Sequence, residues 1–509
     1  LKRWFRTGAS TFAVQYPIMV TTQPMLLSYK RVRHWDRGLL ILLVVFALLL
    51  PLFTPRIYAV DSVEYYVYLR SLFFDGDLDF TNDYTRFHEL NPEAGIQGGL
   101  LDKRDPNTDK PINVAPVGAA LLWAPAFLLA HGGVLLTRAF GSGIAADGYS
   151  WPYLWAVCFA SVLYGLLGVL ISYSIARRYV GLWSATAATL VCWVASPLIF
   201  YMYISPPWSH TAGLFATALF IWYWLRTRGT RTQRQWLVLG LIGGLMVLTR
   251  EQLGLFLLLP ALEALTQYWH DLRARRWLAI RANLIRHTLF LLVFVLTLTP
   301  QLLTYLSLNG RLGPSEIVLE KLKHQPDDPY AHGLLGSAHF WDTLIDARPS
   351  PVTGRWFAHG AFLWTPVWAI GLAGLLLLAR RDRWLAIILG AAFLAQVWLN
   401  GKFGTTWHLS SAFGFRRLIE ATPLFVLGVA LVIERFRMPR AVWAALGILL
   451  IVWNVGLIAQ WTVTNKELRR GLVWDGMLRN QVAVPAQVSQ KIGQLLFNRC
   501  ALVENGTCR

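Results

Sequence analysis

Two carboxylates three residues apart, Asp61 and Glu64, stand in the run YAVDSVEYYVYLRSLFFDGDLDFTNDY, directly after the first long apolar stretch of the chain. That spacing puts both on one face of a helix, and Tyr65 and Tyr68 continue the face. A carboxylate at the boundary between apolar chain and water is costly without a use. The use that suits Asp61 is removal of a proton from a hydroxyl, with Glu64 beside it as the second member of an acid pair. Val63, Val67 and Phe74 are left to face lipid. The segment therefore reads as an amphipathic helix lying on a membrane surface and ended by Gly76.

A second group of residues suits the holding of an anion. Lys110 opens DKPINVAPVGAALLWAPAF, His210 closes SPPWSH, and Arg250 and Glu251 interrupt an apolar pair of segments. The run GTTWHLSSAFGFRRLIEATP supplies His408, Arg416, Arg417 and Glu420. Paired arginines against a helix start need an anionic partner, and a phosphate fits the guanidinium fork. The plainer alternatives are an ion pair with Glu420 or the acidic loop for the arginines, and a snorkelling side chain for Lys110. Asp77, Asp79 and Asp83 form a third group, a candidate divalent-cation site because hard cations take clustered carboxylates. DGDLDFTNDY is not a calcium-loop motif. His324, His332, His339, Asp342 and Asp346 match no compact metal spacing and read as ordinary loop.

The elements that must carry these groups follow from composition. Of 509 residues, 55% are hydrophobic and only 15% charged, which excludes a disordered chain, a coiled coil and a set of soluble domains. A membrane helix needs about 20 mostly apolar residues. Candidates lie at 38–56, 151–176, 180–203, 210–226, 235–250, 252–269, 287–308, 359–379, 384–401, 418–434 and 441–463, an all-α polytopic membrane protein with about eleven transmembrane helices. Five Arg clusters lie between these segments, around 177–178, 226–234, 273–286, 380–383 and 435–440. All fall on the cytoplasmic side if the chain crosses once per segment. The stretch 113–140 must then not cross. It carries Pro116, Pro125, Gly118, Gly132 and Gly133, which are expected to interrupt a regular helix, so it reads as an interfacial or re-entrant segment.

The formal charge of +19 is thereby an orientation signal rather than a nucleic-acid footprint. The expected organisation is a cytoplasmic basic arm over 1–37, a transmembrane module over 38–463 and an outer tail over 464–509. The module contains outer loops at 57–150 and 309–358. No signal peptide is read in the first 37 residues. Cys500 and Cys508 are a candidate pair in the tail.

An acid pair after the first span, a Lys-Pro at the entry of an interfacial helix and about eleven spans together resemble the GT-C superfamily of integral membrane glycosyltransferases. The nearest likenesses are the bacterial aminoarabinose transferases and the protein O-mannosyltransferases. The resemblance covers roughly 38–463. It implies two juxtamembrane helices in the first outer loop, a polyprenyl-phosphate sugar donor, a lipid, glycan or protein acceptor, and no required cofactor. It makes Asp61 the catalytic residue, with Glu64 completing the pair, and has Lys110-Pro111 meet the lipid phosphate. Two features depart from the pattern. The acids are Asp-x-x-Glu rather than adjacent, and a further acid of the next outer loop has no match, His210 standing nearest. The implied reaction is an inverting transfer on the outer face of a bacterial cytoplasmic (inner) membrane, with the N-terminus inside. The alternatives are a transporter or flippase of lipid-linked sugars, which would place charges deep in the spans and show repeats, and a non-catalytic membrane subunit.

Overall fold

The computed structural model describes residues 36–497, apart from 58, 230, 317–318, 321–335, 338, 349–357, 403–405, 410–411 and 465–473. His324, His332, Cys500, Cys508 and nearly all of the N-terminal arm lie outside the described residues. Within them the chain is helical, with no strand beyond one antiparallel bridge between Arg104 and Pro111. The helices that matter below are α1 (Arg37–Leu49), α2 (Val60–Arg70), α3 (Thr81–Leu90), α4 (Gly118–Ala139), α5 (Trp151–Ala176), α6 (Leu182–Val194), α7 (Ser209–Thr227) and α8 (Gln233–Thr249). They are followed by α9 (Leu258–Arg273), α10 (Trp277–Thr297), α11 (Thr299–Asn309), α12 (Pro366–Leu378), α13 (Arg383–Lys402), α14 (Thr422–Arg435), α15 (Arg440–Ala459) and α16 (Trp474–Gln490).

Among the described residues five helices are long and apolar enough to cross a membrane: α4, α5, α10, α13 and the continuous run Arg440–Val463. Shorter apolar helices lie at Arg37–Leu52, Leu182–Val194 and Pro366–Leu378. Glycine lets two of the helices pack backbone to backbone. A methyl group on Gly374 of α12 would collide with the Gly428 backbone of α14, and one on Gly428 would collide with Gly371.

The Arg clusters gather at one end of the bundle. Asp36 caps α1 by accepting from the Gly38 amide at 2.9 Å and also faces Arg177 at 3.9 Å. Arg228 pairs with Asp382 at 2.6 Å, Arg381 donates to the Tyr179 carbonyl, and Glu434 accepts from Ser184 at 2.6 Å. Arg231 pairs with Glu263 at 3.1 Å, and Arg440 lies over the Trp183 ring.

The opposite end holds α2, α3 and α4 on a core of their own, which includes Val63, Tyr66, Phe80, Tyr84, Trp123, Phe127 and Tyr153. Two sequence expectations change here. Helix α2 is not an amphipathic surface helix: every residue from Ser62 to Leu69 is buried, and Val63 and Val67 face protein rather than lipid. The reason is that α4 and α3 close over both of its sides. The break at Gly76 does occur, at φ +74, after a π-turn over Ser71–Asp75.

The stretch 113–140 is not interrupted either. Helix α4 runs unbroken from Gly118 through Pro125 to Ala139. The Tyr164 hydroxyl donates to the Leu122 carbonyl at 2.8 Å, in the turn that the proline disturbs. Its partners place α4 within the bundle. Gly118 abuts the backbone of Leu248 and Thr249 at the end of α8, and His131 meets the Tyr153 hydroxyl at 2.7 Å at the start of α5. These contacts involve α5 from its start to about its midpoint, on the side away from Arg177.

Candidate active site

The site is built on α2, the N-terminus of α7, the chain just past α8, and a short 3-10 helix, Arg416–Ala421, that leads into α14. Gly414, at φ +61, turns the chain into that 3-10 helix. Phe413 stacks on Phe200 at 4.5 Å, and Phe415, Leu418 and Ile419 are buried. These apolar anchors leave the two arginines to face the neighbouring polar groups.

Arg416 reaches α2. Its Nη2 donates to Asp61 Oδ2 at 2.7 Å, and its guanidinium lies 4.2 Å above the Trp208 ring. The Asp61 side chain remains 42% exposed. Arg417 donates to Thr406 Oγ1 at 2.9 Å, while its carbonyl accepts from Gln252 at 3.0 Å. One turn on, buried Glu420 accepts from His210 Nδ1 at 2.9 Å and lies 3.2 Å from Arg250 Nε. Arg250 Nη1 donates to Ser209 Oγ at 3.3 Å, and Ser209 donates to the Tyr65 hydroxyl of α2 at 2.8 Å. Two polar chains meet here, one from Asp61 to Arg416 and one from Tyr65 through Ser209 and Arg250 to Glu420 and His210, and Gln252 joins them by accepting from Arg250 at 3.5 Å and donating to the Arg417 carbonyl. Arg250 and Arg416 each hold a carboxylate and Arg417 follows Arg416 directly in the chain, a concentration of guanidinium groups that suits an anionic ligand.

The other predicted residues make contacts of their own. Glu64 is buried, and its Oε1 accepts from the Val114 amide at 2.9 Å while its carbonyl accepts from Asn113 at 2.8 Å. Lys110 donates from Nζ to Ser307 Oγ of α11 at 3.1 Å, in a loop tied to α11 again by Asn107 and Thr108. Among the described residues, Lys110 makes no hydrogen bond or ion pair with Asp61, Arg250, Arg416 or Arg417. The backbone carbonyl of His408 accepts from the His359 amide at 3.1 Å, two residues past Thr406.

The three acids proposed for a cation do not converge. Asp77 Oδ1 takes the Ser71 hydroxyl and the Asp79 amide, and Asp79 Oδ1 takes the Thr81 amide and hydroxyl. Both are local caps of the kind aspartate makes two residues on. Asp83 points into the second core, where Tyr149 donates to it at 2.7 Å and Arg70 lies 3.7 Å away. Burial pushes the Asp83 carboxyl up to about 7, against the pull of Tyr149 and Arg70. Among the described residues no three His, Cys, Asp or Glu side chains group to hold a metal.

Sequence reasoning placed Tyr65 only on the face shared with Asp61 and Glu64, and did not single out Trp208, Ser209, Gln252 or Thr406. Their only signal is adjacency, since each lies within four residues of a named candidate.

Residues 153–299 match the family model described as dolichyl-phosphate-mannose-protein mannosyltransferase. That span contains Trp208, His210 and Arg250 but not Asp61, Lys110, Arg416 or Arg417. No curated protein matches the chain. Among solved structures, the chain is similar to ArnT from Cupriavidus metallidurans bound to undecaprenyl phosphate, at 13% identity over 91% of this chain and 78% of that one, with a TM-score of 0.43. It is also similar to the Archaeoglobus fulgidus oligosaccharyltransferase in its apo form, at 14% identity over 89% and 56%, with a TM-score of 0.44. Both are loose likenesses. The family match, on an all-helical chain with apolar helices of membrane length, bears out the resemblance to the GT-C superfamily of integral membrane glycosyltransferases.

Proposed function

We propose that the chain is an inverting glycosyltransferase that moves a sugar from a polyprenyl-phosphate donor to an acceptor hydroxyl. The observation that carries this reading is Asp61, half-exposed and held at 2.7 Å by Arg416. The description of the matching family, with its dolichyl-phosphate-mannose donor, supports the same donor class. A lipid-linked donor keeps its tail in the bilayer, so the site opens sideways at the end of the bundle away from the Arg clusters. By the tendency of Lys and Arg to stay inside, that end is the outer one, in the cytoplasmic membrane of a bacterium with the N-terminus in the cytoplasm.

In this mechanism Asp61 takes the proton of the acceptor hydroxyl as its oxygen attacks the anomeric carbon. The bond from that carbon to the phosphate oxygen breaks, and the negative charge grows on the polyprenyl phosphate. Arg416 and Arg417 stabilise that charge, with Arg250 behind them. One displacement inverts the anomeric centre, and no covalent sugar–enzyme intermediate forms. Glu64 places the 110–117 segment rather than moving a proton, because its carboxylate is taken by the Val114 amide. Lys110 meets the donor from the α11 wall. The acceptor is a lipid, a glycan or a protein.

The test is reconstitution with polyprenyl-phosphate sugars and candidate acceptors. Asp61→Asn is expected to lower transfer by roughly 10²–10⁴ with the fold retained. Unchanged transfer in that variant would remove Asp61 as the base.

A further inference from the structure

Arg416 is placed by more than its ion pair. Its guanidinium lies 4.2 Å above the Trp208 ring, a cation–π distance, and the ring itself is anchored. Trp208 Nε1 donates to Ser205 Oγ at 2.9 Å, and Tyr201 packs edge-on against the ring at 5.5 Å. The Tyr201 hydroxyl is bonded to the Phe413 backbone. The His210 ring lies nearly parallel to Trp208 on the same side of the network. With one face on an immobile indole, the guanidinium plane cannot swing freely. Nη2 is spent on Asp61, and the Tyr201 hydroxyl also lies close to the guanidinium, whereas Nη1 is buried with no well-formed hydrogen bond among the described residues. A buried, unpartnered N–H of a cation is costly unless something anionic comes to meet it.

We propose that Trp208 is a positioning residue: it sets the plane of Arg416 so that one nitrogen holds Asp61 while the other is presented to the donor phosphate. Arg416 then spaces the proton acceptor from the leaving group, and Trp208 fixes that spacing without touching substrate. This rests on the transferase reading above and adds to it a residue that touches neither substrate.

The experiment uses the full chain in detergent, with undecaprenyl phosphate as the binding probe and polyprenyl-phosphate sugar plus acceptor for turnover. Trp208→Leu removes the π face. It is expected to weaken undecaprenyl-phosphate binding about tenfold and to lower kcat by about tenfold, with KM for the acceptor within about twofold. Trp208→Phe keeps a face for the guanidinium and is expected within about threefold of wild type in both readouts. Arg416→Lys has a point charge that cannot span two partners, and is expected to lose at least as much as Trp208→Leu. Thermal unfolding reports on the fold of each variant. If the leucine variant does not fold, Trp208→Met, unbranched and better able to fill the space but without a π face, takes its place with the same expected losses.

The proposal is overturned if Trp208→Leu binds and turns over like wild type. It is equally overturned if the phenylalanine and leucine variants fall together, because packing rather than the cation contact would then explain the residue. Should wild type bind the lipid phosphate but transfer nothing, the transferase reading fails, and the binding ratios alone decide the role of Trp208 by the same criteria. Should wild type not bind it, both fail.

Discussion

Glu420 holds Arg250 at 3.2 Å with a carboxylate that is 1% exposed, and the same oxygen takes the His210 proton at 2.9 Å. A buried carboxylate is retained at such a place only when its charge is answered, and here one acid anchors two of the predicted site residues from two different helices. The pair ties the 3-10 helix of Arg416 and Arg417 to the end of α8 and the start of α7.

Removing that charge is expected to be severe. Glu420→Gln keeps the shape but leaves Arg250 buried against a neutral amide, and the expected loss of stability is about 3 kcal/mol. Thermal unfolding in detergent measures it. A variant as stable as wild type would mean that Arg250 is answered by water or by another group.

Glu64 and Asp61 are expected to separate. Glu64→Gln retains an oxygen to accept the Val114 amide, so transfer stays within about threefold of wild type. Glu64→Ala strands that amide and costs about 1–3 kcal/mol of stability. A loss in Glu64→Gln as deep as that in Asp61→Asn would return Glu64 to the chemistry. Side-by-side turnover and melting assays decide between the two roles.

The 57–150 region is expected to soften as pH rises. The Asp83 carboxyl, raised by burial to about 7, binds a proton more tightly folded than unfolded, where an aspartic acid titrates near 4. Its contribution is therefore complete below the unfolded value and is lost as pH climbs through about 7. Limited proteolysis of the 57–150 region between pH 5 and pH 8 should quicken with pH in wild type. Asp83→Asn should flatten that dependence. An equal slope in both proteins would place the titrating group elsewhere.

Helix packing at Gly374 offers a test of the bundle itself. Gly374→Ala drives a methyl group into the Gly428 backbone, so α12 and α14 must part, at a cost of about 1–3 kcal/mol. Gly132→Ala in α4 has no neighbour within 4 Å and is expected to be neutral or slightly stabilising. Melting temperatures of the two variants check the contrast.

Much of the site could be read before any coordinates. Asp61, Arg416 and Arg417 stand out by type, because charges beside long apolar runs are costly and so have a purpose. Local signals reached further: Gly76 does end the helix, and the apolar runs are helices. What failed were inferences that needed neighbours. Val63 and Val67 look lipid-facing on α2 alone, but α3 and α4 cover them. Pro125 looks like a break in α4, but Tyr164 holds the turn. Asp77, Asp79 and Asp83 look like a cluster, but two cap their own turns and the third points into a core.

The amino-acid sequence by itself determined the all-helical class and the grouping of arginines into short clusters, and it named the candidate residues for chemistry. Those follow from composition and short-range spacing, which act within one helix or one loop. Which of those residues meet was decided only by tertiary structure. Asp61 and Arg416 are 355 positions apart, and His210 and Glu420 are 210 apart. Pairing over such separations is set by how helices pack against one another. No local pattern encodes that an arginine will find its aspartate, or that a tryptophan will lie beneath it.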